Sequence, residues 1–221
     1  IEKNKKSKNK MTIAVDINEV LRDYLRAFKK QYNKVVNPDF EIEYDDINDF
    51  DLMNIFPFTD EEGYPNLSAF NSFRFEDCAF EIYSRADLME RDLPAFFNMW
   101  INGALRNFDE EKNPNVILFS PFEMNLSIPS TLGFLARVGI RCRNIEFPID
   151  STKMWDKADI IITANPNLIS ATPEGKHSFK INAPYNKEVK GTFEFDSLID
   201  IIKDEKTIEK IIEGTGDVIT H

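Results

Sequence analysis

Short apolar runs alternate along the chain with longer segments in which apolar residues recur every three or four positions. The strand-like runs are TIAV, NVILFS, RCRNIEF, ADIIITA and SFKINAP. The helix-like segments are EVLRDYLRAFKKQYNK, PAFFNMWINGALRNF, SIPSTLGFLARVGI and FDSLIDIIKDEKTIEKIIEG, and Gly139 is expected to end the third. Strands that alternate with helices predict an α/β fold with a Rossmann-like parallel sheet flanked by helices.

One internal segment has a different texture. Residues 38–94 are acidic, aromatic and interrupted by proline, so we predict a mostly helical cap insertion of short helices and loops. Its Phe and Tyr side chains are expected to pack together rather than to form a ligand cage. The predicted core then covers residues 11–37 and 95–203, and residues 204–221 form a C-terminal helical tail.

The N-terminal residues 1–10 carry five lysines and one glutamate, and Ile1 is their only large apolar residue. Such a segment predicts a basic flexible arm, which is either a leader without a partner or an arm that docks on an acidic surface. Because the chain begins at Ile1 rather than at methionine, we expect that it was cut from a precursor or that upstream residues are absent from this sequence.

Composition limits the possible partners. The net charge of −11 argues against an extensive nucleic-acid surface or binding to an acidic membrane, because both are anionic. Cys78 and Cys142 are too few for a disulfide framework, which favours a reducing, cytoplasmic compartment. No apolar stretch is long enough to span a bilayer, so we expect no membrane partner.

Polar residues follow several predicted strands. Asp16 and Asn18 come after the first strand, Ser120 after the second, and the stretches ITANP and APYN after the fourth and fifth. In open parallel sheets, ligands bind at the carboxyl ends of the strands. These residues are therefore the candidate site.

The same stretches resemble the motifs of the haloacid dehalogenase superfamily. AVDINEVL is similar to its first motif, Asp-x-Asp-x-Thr or Val after an apolar strand, and VILFS resembles its second. STKMWDKADIIITANP is similar to its third and fourth motifs, a Lys ahead of a strand that ends in paired acids. INAPYN and the position of the insertion resemble the 5'(3')-nucleotidase branch. The resemblance implies a haloacid dehalogenase-like fold for roughly residues 11–203.

The resemblance also implies roles for individual residues. Asp16 would attack phosphorus beside Mg²⁺ and form an aspartyl phosphate, while the residue at position 18 would protonate the leaving oxygen and activate water. Ser120 would donate a hydrogen bond to a phosphoryl oxygen. Lys153, or Lys157 in its place, would neutralise the charge between the nucleophile and the phosphate.

The chain departs from the family pattern at two of these places. Asn18 stands where the second acid is expected, and an amide does not exchange protons at neutral pH. Thr163 and Ala164 stand where the paired metal-binding acids are expected. Asn165 or Asp159 could substitute, but Asp159 begins its strand and should lie at the opposite end. We therefore predict an inactive family pocket with no cofactor and no metal.

Each candidate residue also has an ordinary structural explanation. Asp16 could cap the helix that follows it, Ser120 could be a turn residue before Pro121, and Lys153 could be a surface lysine. Because the motifs occur in order at strand ends, we interpret Asp16 as a relic of a catalytic site that could also serve as a cap.

Two classes of function follow. The first is a non-catalytic structural or interaction protein on a degenerate nucleotidase-like fold, which binds protein partners or assembles with itself. The abundance of Asn, Lys and Ile suits an AT-rich genome, so a phage virion or assembly component is the predicted context. The alternative is a Mg²⁺-dependent 5'-nucleotidase or phosphatase that uses Asp16 and recruits acids from the insertion, with Asp45, Asp46 and Asp49 as candidates.

Overall fold

A single parallel sheet organises the protein. The computed structural model describes residues 10–101 and 114–212. The strands within them are β1 (Thr12–Asp16), β2 (Asn115–Phe119), β3 (Ile145–Glu146), β4 (Ile160–Thr163), β5 (His177–Ile181) and β6 (Phe193–Phe195). Their spatial order is β3-β2-β1-β4-β5-β6, which is the order of the Rossmann fold. The predicted α/β fold with a Rossmann-like parallel sheet is confirmed.

Strand β1 lies at the centre of the sheet, between β2 and β4. Its residues Ile13, Ala14 and Val15 are fully buried, because one face of the sheet packs on a large apolar cluster and the other on a smaller one around Trp155. A parallel strand covered on both faces has no polar side, which is why TIAV is a continuous apolar run.

Helices cover the sheet and build the insertion. They are α1 (Tyr24–Val35), α2 (Leu52–Ile55), α3 (Leu67–Ser72), α4 (Leu93–Met99), α5 (Ser127–Val138), α6 (Pro166–Ser170), α7 (Leu198–Lys203) and α8 (Glu205–Ile212). Gly139 ends α5 in the left-handed conformation, with φ of 77°, as predicted. Within residues 10–101 and 114–212, no helix is both long and apolar enough to cross a membrane.

Helix α1 begins later than its apolar spacing predicted. The amides of Leu21 and Arg22 both donate to the carbonyl oxygen of Ile17, so the chain turns before the helix starts. The side chain of Asp23 then caps α1 by accepting a hydrogen bond from the amide of Arg26. Asp16 is therefore not a helix cap, and that prediction was wrong.

Two further points concern the last strand of the sheet and the predicted helix PAFFNMWINGALRNF. Strand β6 was not predicted, because FEF is too short to give a periodic pattern. This helix is described only as far as Ile101 and forms α4 there, so the prediction for residues 102–108 lies outside the described residues.

The insertion is built from short helical pieces around aromatic side chains. Besides α2 and α3 it contains a 3-10 turn, Tyr44–Asp46, and two π-helical segments, Phe73–Asp77 and Phe80–Ser84. Its buried rings contact α1 through Phe28, which packs against Phe56 with ring centroids 5.0 Å apart. The insertion thus has a core of its own, placed over one end of the sheet by α1.

Candidate functional site

A cavity of about 450 Å³ lies between the carboxyl ends of the strands and the insertion. Its floor contains Asp16, Asn18 and Asn165, which follow β1 and β4. These two neighbouring strands form the point at which the strand order reverses, where α/β sheets bind ligands. The insertion supplies aromatic, aliphatic and charged side chains to the walls: Asp49, Phe50, Asp51, Leu52, Met53, Leu67, Phe70, Arg74 and Tyr83.

Asp16 lies on the cavity floor but is only 3% exposed. Its carboxyl oxygens accept hydrogen bonds from the hydroxyl of Thr163, at 2.8 Å, and from the amide of Asn18, at 3.2 Å. Burial raises the pKa of Asp16 to about 7, against the lowering effect of these hydrogen bonds and of the Arg22 charge. The carboxyl group is therefore divided between its neutral and ionised forms near neutral pH.

The side chain of Asn18 is held on both sides of its amide. Its oxygen accepts from Arg22 twice, from Nε at 3.0 Å and from Nη2 at 2.6 Å. Its nitrogen donates to the hydroxyl of Ser120 at 3.2 Å. Since a guanidinium has only donors, the oxygen of Asn18 must face Arg22, and the orientation of the amide is determined.

Arg22 is fully buried and forms an ion pair with Glu123, with Nη2 2.8 Å from Oε1. Its other donors reach the hydroxyl of Thr131 at 2.6 Å and the carbonyl oxygen of Tyr83 at 3.1 Å. Burial raises the pKa of Glu123, and the charge of Arg22 opposes that rise. The loop after β1 is therefore joined to the loop after β2, to α5 and to the insertion through one guanidinium.

Ser120 belongs to the same set of hydrogen bonds. It is fully buried, donates its hydroxyl to Glu123 and accepts from Asn18 and Arg22. It does not line the cavity. We call Asn18, Arg22, Ser120, Glu123 and Thr131 the buried polar network.

Glu19 is a carboxyl group of the cavity that sequence reasoning missed. It is 4% exposed and accepts hydrogen bonds from the amide of Leu25 at 2.8 Å and from the hydroxyl of Tyr44 at 2.9 Å. Burial raises its pKa to about 7. Its backbone has φ of 57°, a conformation that non-glycine residues rarely adopt.

The other predicted residues lie apart from the floor of the cavity. Lys153 is exposed on the 3-10 turn after β3, and Lys157 pairs with Glu146. Neither lines the cavity. Asp159 accepts a hydrogen bond from the amide of Thr12 at the amino end of β1, which is the opposite end of the sheet.

Of the three candidate acids of the insertion, only one lines the cavity. Asp45 and Asp46 are exposed and do not line the cavity, whereas Asp49 does. The Asp49 carboxylate is held within its own loop, where it accepts from the amide of Asp51 at 2.8 Å and from the side chain of Asn54 at 2.7 Å.

The donor set near Asp16 does not fit Mg²⁺. This ion needs several hard oxygen ligands in octahedral geometry. The oxygen of Asn18 faces Arg22, and that of Asn165 accepts from the amides of Asn167 and Leu168 at the start of α6. In the described part of the chain, no three His, Cys, Asp or Glu side chains converge as a metal site would require. The other carboxyl groups of the cavity, those of Glu19, Asp49 and Asp51, accept hydrogen bonds from neighbouring groups of the protein.

Arg22 and Glu123 were not predicted as site residues. Arg22 lies within the stretch predicted as a helix, but α1 begins after it, and the apolar spacing gave no sign of its burial. Glu123 gave one available signal, because it follows the strand-end Ser120 by three residues and can turn back toward it.

Comparisons with known proteins add two likenesses in fold. No protein-family model and no curated protein sequence matches the chain. A chain from Burkholderia xenovorans LB400, described as a haloacid dehalogenase-like hydrolase, is similar with a TM-score of 0.49 and 9% identity, over 90% of this chain and 98% of that one. The β-phosphoglucomutase of Clostridium difficile is similar with a TM-score of 0.47 and 17% identity, over 93% and 98% of the two chains. Both TM-scores lie under 0.5, and the Rossmann-like fold is established by the strand order of the sheet.

Proposed function

We propose that this protein is a non-catalytic interaction protein built on a haloacid dehalogenase-like core of the 5'(3')-nucleotidase type. It binds a protein partner or a second copy of itself and does not transfer phosphoryl groups. A phage particle remains the context that we propose from composition alone. The basic arm, residues 1–10, is proposed to dock on an acidic partner, and its residues 1–9 lie outside the described residues.

The fixed amide of Asn18 carries this proposal. In a phosphatase of the proposed type, the residue at this position has to exchange a proton with the substrate. Here the amide oxygen accepts from Arg22 and the amide nitrogen donates to Ser120, so both ends are engaged within the protein. Ser120 in turn donates its hydroxyl to Glu123 rather than to the cavity. The positions that would handle a phosphoryl group bind one another.

An exposed apolar loop supports the interaction role. In the loop between β2 and α5, Phe122, Met124 and Leu126 are 45%, 45% and 56% exposed. Ile149 is 83% exposed in the adjoining loop, where the carbonyl oxygen of Pro148 accepts from the amide of Phe122. Contiguous exposed apolar side chains are typical of surfaces that bind other proteins.

One observation favours a second candidate, an active phosphatase or nucleotidase with recruited acids. Glu19 lies in the same cavity as Asp16, and burial brings its pKa to about 7, which suits a general acid. The hydrogen bonds from Leu25 and Tyr44 hold its carboxyl group in place. In this candidate Asp16 is the nucleophile and Glu19 supplies the proton that Asn18 cannot supply.

Phosphate release distinguishes the two candidates. The full chain is incubated with nucleoside monophosphates and simple phosphate esters, with and without Mg²⁺, beside the variants Asp16→Asn and Glu19→Gln. We expect no release above the Asp16→Asn background from any substrate. Release that is lost in both variants while circular dichroism shows folded protein would establish the second candidate and reject the first.

Self-association is measured separately by sedimentation velocity over a range of protein concentrations. We expect Leu126→Asp to reduce association and the exposed but isolated change Tyr64→Asp to leave it unchanged. A protein that stays monomeric at all concentrations would exclude assembly with itself and leave a different protein as the partner.

A further inference from the structure

Arg74 is a charged residue of the cavity wall whose polar atoms have no partner in the described structure. Its guanidinium carbon lies 4.7 Å from the ring centre of Phe70 and 4.1 Å from that of Phe75. Its Nε atom is buried and makes no hydrogen bond, and among the described residues Arg74 forms no ion pair. The two Nη atoms donate to no described residue either and, unlike Nε, are not buried, so the outer edge of the guanidinium is open to an acceptor.

The acids of the cavity differ from Arg74 because they already accept hydrogen bonds from other groups of the protein. Asp16 and Glu19 each accept two hydrogen bonds from neighbouring groups. Asp49 accepts from Asp51 and Asn54, and Asp51 caps α2 by accepting from the amide of Met53. Arg74 is therefore the charged side chain of this cavity that is left to recognise a ligand.

The backbone around the cavity is unusual in two independent ways. Arg74 lies in the π-helical segment Phe73–Asp77. Such segments are rare in proteins, and those that occur are often found at functional sites. Glu19 and Phe122, which both line the cavity, have positive φ values of 57° and 60°. Strained residues of this kind cluster at ligand sites, where the surrounding structure holds them.

We propose that the cavity binds a small apolar or aromatic molecule that carries one carboxylate group, and that Arg74 binds this carboxylate. The planar guanidinium can bind a carboxylate through two parallel hydrogen bonds. Phe50, Phe70 and Tyr83 surround the apolar body, and the volume of about 450 Å³ lies within the range of small-molecule sites. This inference deepens the proposed function, since it assigns a ligand to a site that does no chemistry.

Charge favours a carboxylate over a phosphate ester. Arg74 is the only Lys or Arg side chain among the described residues that line the cavity, and the same lining contains four carboxyl groups. Because the lining contains more carboxyl groups than cations, each added negative charge is disfavoured, and a carboxylate adds only one, beside Arg74. A phosphate dianion adds two near Asp16, and the second has no partner, so it is repelled.

The test is isothermal titration calorimetry of the full chain with matched indole probes. These are indole-3-acetate, its neutral amide indole-3-acetamide, and indoxyl phosphate, with octanoate as an aliphatic carboxylate. We expect the acetate to bind about tenfold or more tightly than either indole analogue, a difference of about 1.4 kcal/mol. Equal affinity of the acid and its amide, tighter binding of the phosphate, or no binding of either carboxylate would overturn the proposal.

Variants assign the effect to Arg74. Arg74→Met keeps an apolar stem over the rings but removes the charge, and should weaken indole-3-acetate about tenfold while leaving indole-3-acetamide unchanged. The affinity of Arg74→Lys for indole-3-acetate should lie between those of the wild type and Arg74→Met, because an ammonium group keeps the charge but cannot form the two parallel hydrogen bonds. The matched control is Arg143→Met, since Arg143 is exposed and does not line the cavity. A loss that is equal for the acid and the amide would reject the proposed contact.

This result is separable from that of the phosphate-release assay. Phosphate release that requires Asp16 would overturn the non-catalytic function whether or not carboxylates bind. Conversely, absence of carboxylate binding in a protein that releases no phosphate would overturn only the ligand assignment.

Discussion

The buried polar network and the cavity wall both contain an arginine beside aromatic rings, but the two arginines are in opposite situations. Arg22 is fully buried and directs its donors to Asn18, Glu123 and Thr131, among others. Arg74 is half-buried on two rings and donates to no described residue.

This difference shows that the two sides of one site are suited to different tasks. In the buried polar network, next to the position where a phosphatase would act, polar groups form hydrogen bonds with one another and hold four parts of the chain together. On the cavity wall, the insertion presents an unpaired cation and aromatic side chains to the cavity. The first arrangement is typical of structural stabilisation, and the second of ligand binding.

Arg22→Met tests the network where the largest effect is expected. It leaves the buried carboxylate of Glu123 without its cation, so the free energy of unfolding should fall by about 3–5 kcal/mol. Urea denaturation followed by circular dichroism measures the change. The control Lys157→Met breaks the pair with Glu146, whose side chains are 55% and 32% exposed, and should cost about 1 kcal/mol or less. Equal losses in the two variants would contradict a special role for Arg22.

The dependence of stability on pH should be next in size. Asp16 and Glu19 have raised pKa values of about 7 in the folded protein, so the folded state binds more protons than the unfolded state between about pH 4 and pH 7. The free energy of unfolding should therefore fall as pH rises through this window, by up to about 1.4 kcal/mol per pH unit for each group.

Denaturation at several pH values, compared among the wild type, Asp16→Asn and Glu19→Gln, measures these two contributions. Each variant should remove its own share of the slope, because an amide does not titrate in this range. A wild-type protein that becomes more stable from pH 5 to pH 7 would show that other groups dominate.

Asn18→Ala removes the amide that joins Arg22 to Ser120. We expect a loss of about 1–3 kcal/mol, because buried donors of Arg22 lose their acceptor. Asn48→Ala, an exposed asparagine of the insertion, should change stability by less than about 0.5 kcal/mol. If the two substitutions have the same effect in urea denaturation, Asn18 does not hold the network.

The last change, Thr163→Val, removes the hydrogen bond to Asp16 and the one that the Thr163 hydroxyl accepts from the amide of Asn165. The free energy of unfolding should fall by about 1–2 kcal/mol at neutral pH. Because the hydrogen bond to Asp16 lowers the pKa of Asp16, its removal should also raise the pKa, which carbon-detected NMR titration of the Asp16 carboxyl group can follow. An unchanged titration midpoint would show that the hydroxyl does not interact with the ionised carboxyl group.

The fold was largely predictable because the strands of a parallel sheet are apolar on both faces. TIAV and IIIT are short, continuous apolar runs, which are typical of buried parallel strands. The ends of these strands located Asp16 and Asn18 on the cavity floor. The start of α1 was not predictable, since residues 17–23 keep the apolar spacing of a helix while their backbone forms a turn. That turn buries Arg22, whose burial the helical spacing did not predict.

The sequence by itself determined that Asn18, Thr163 and Ala164 stand where the family resemblance predicts acids, because these are facts of residue type. Only the tertiary structure decided which groups meet. Glu123 and Arg22 are about a hundred positions apart, and Arg74 reaches the cavity from the insertion. Hydrophobic periodicity describes neighbours along one element, whereas partners across the sheet and the insertion are brought together by packing, which leaves no local pattern in the chain.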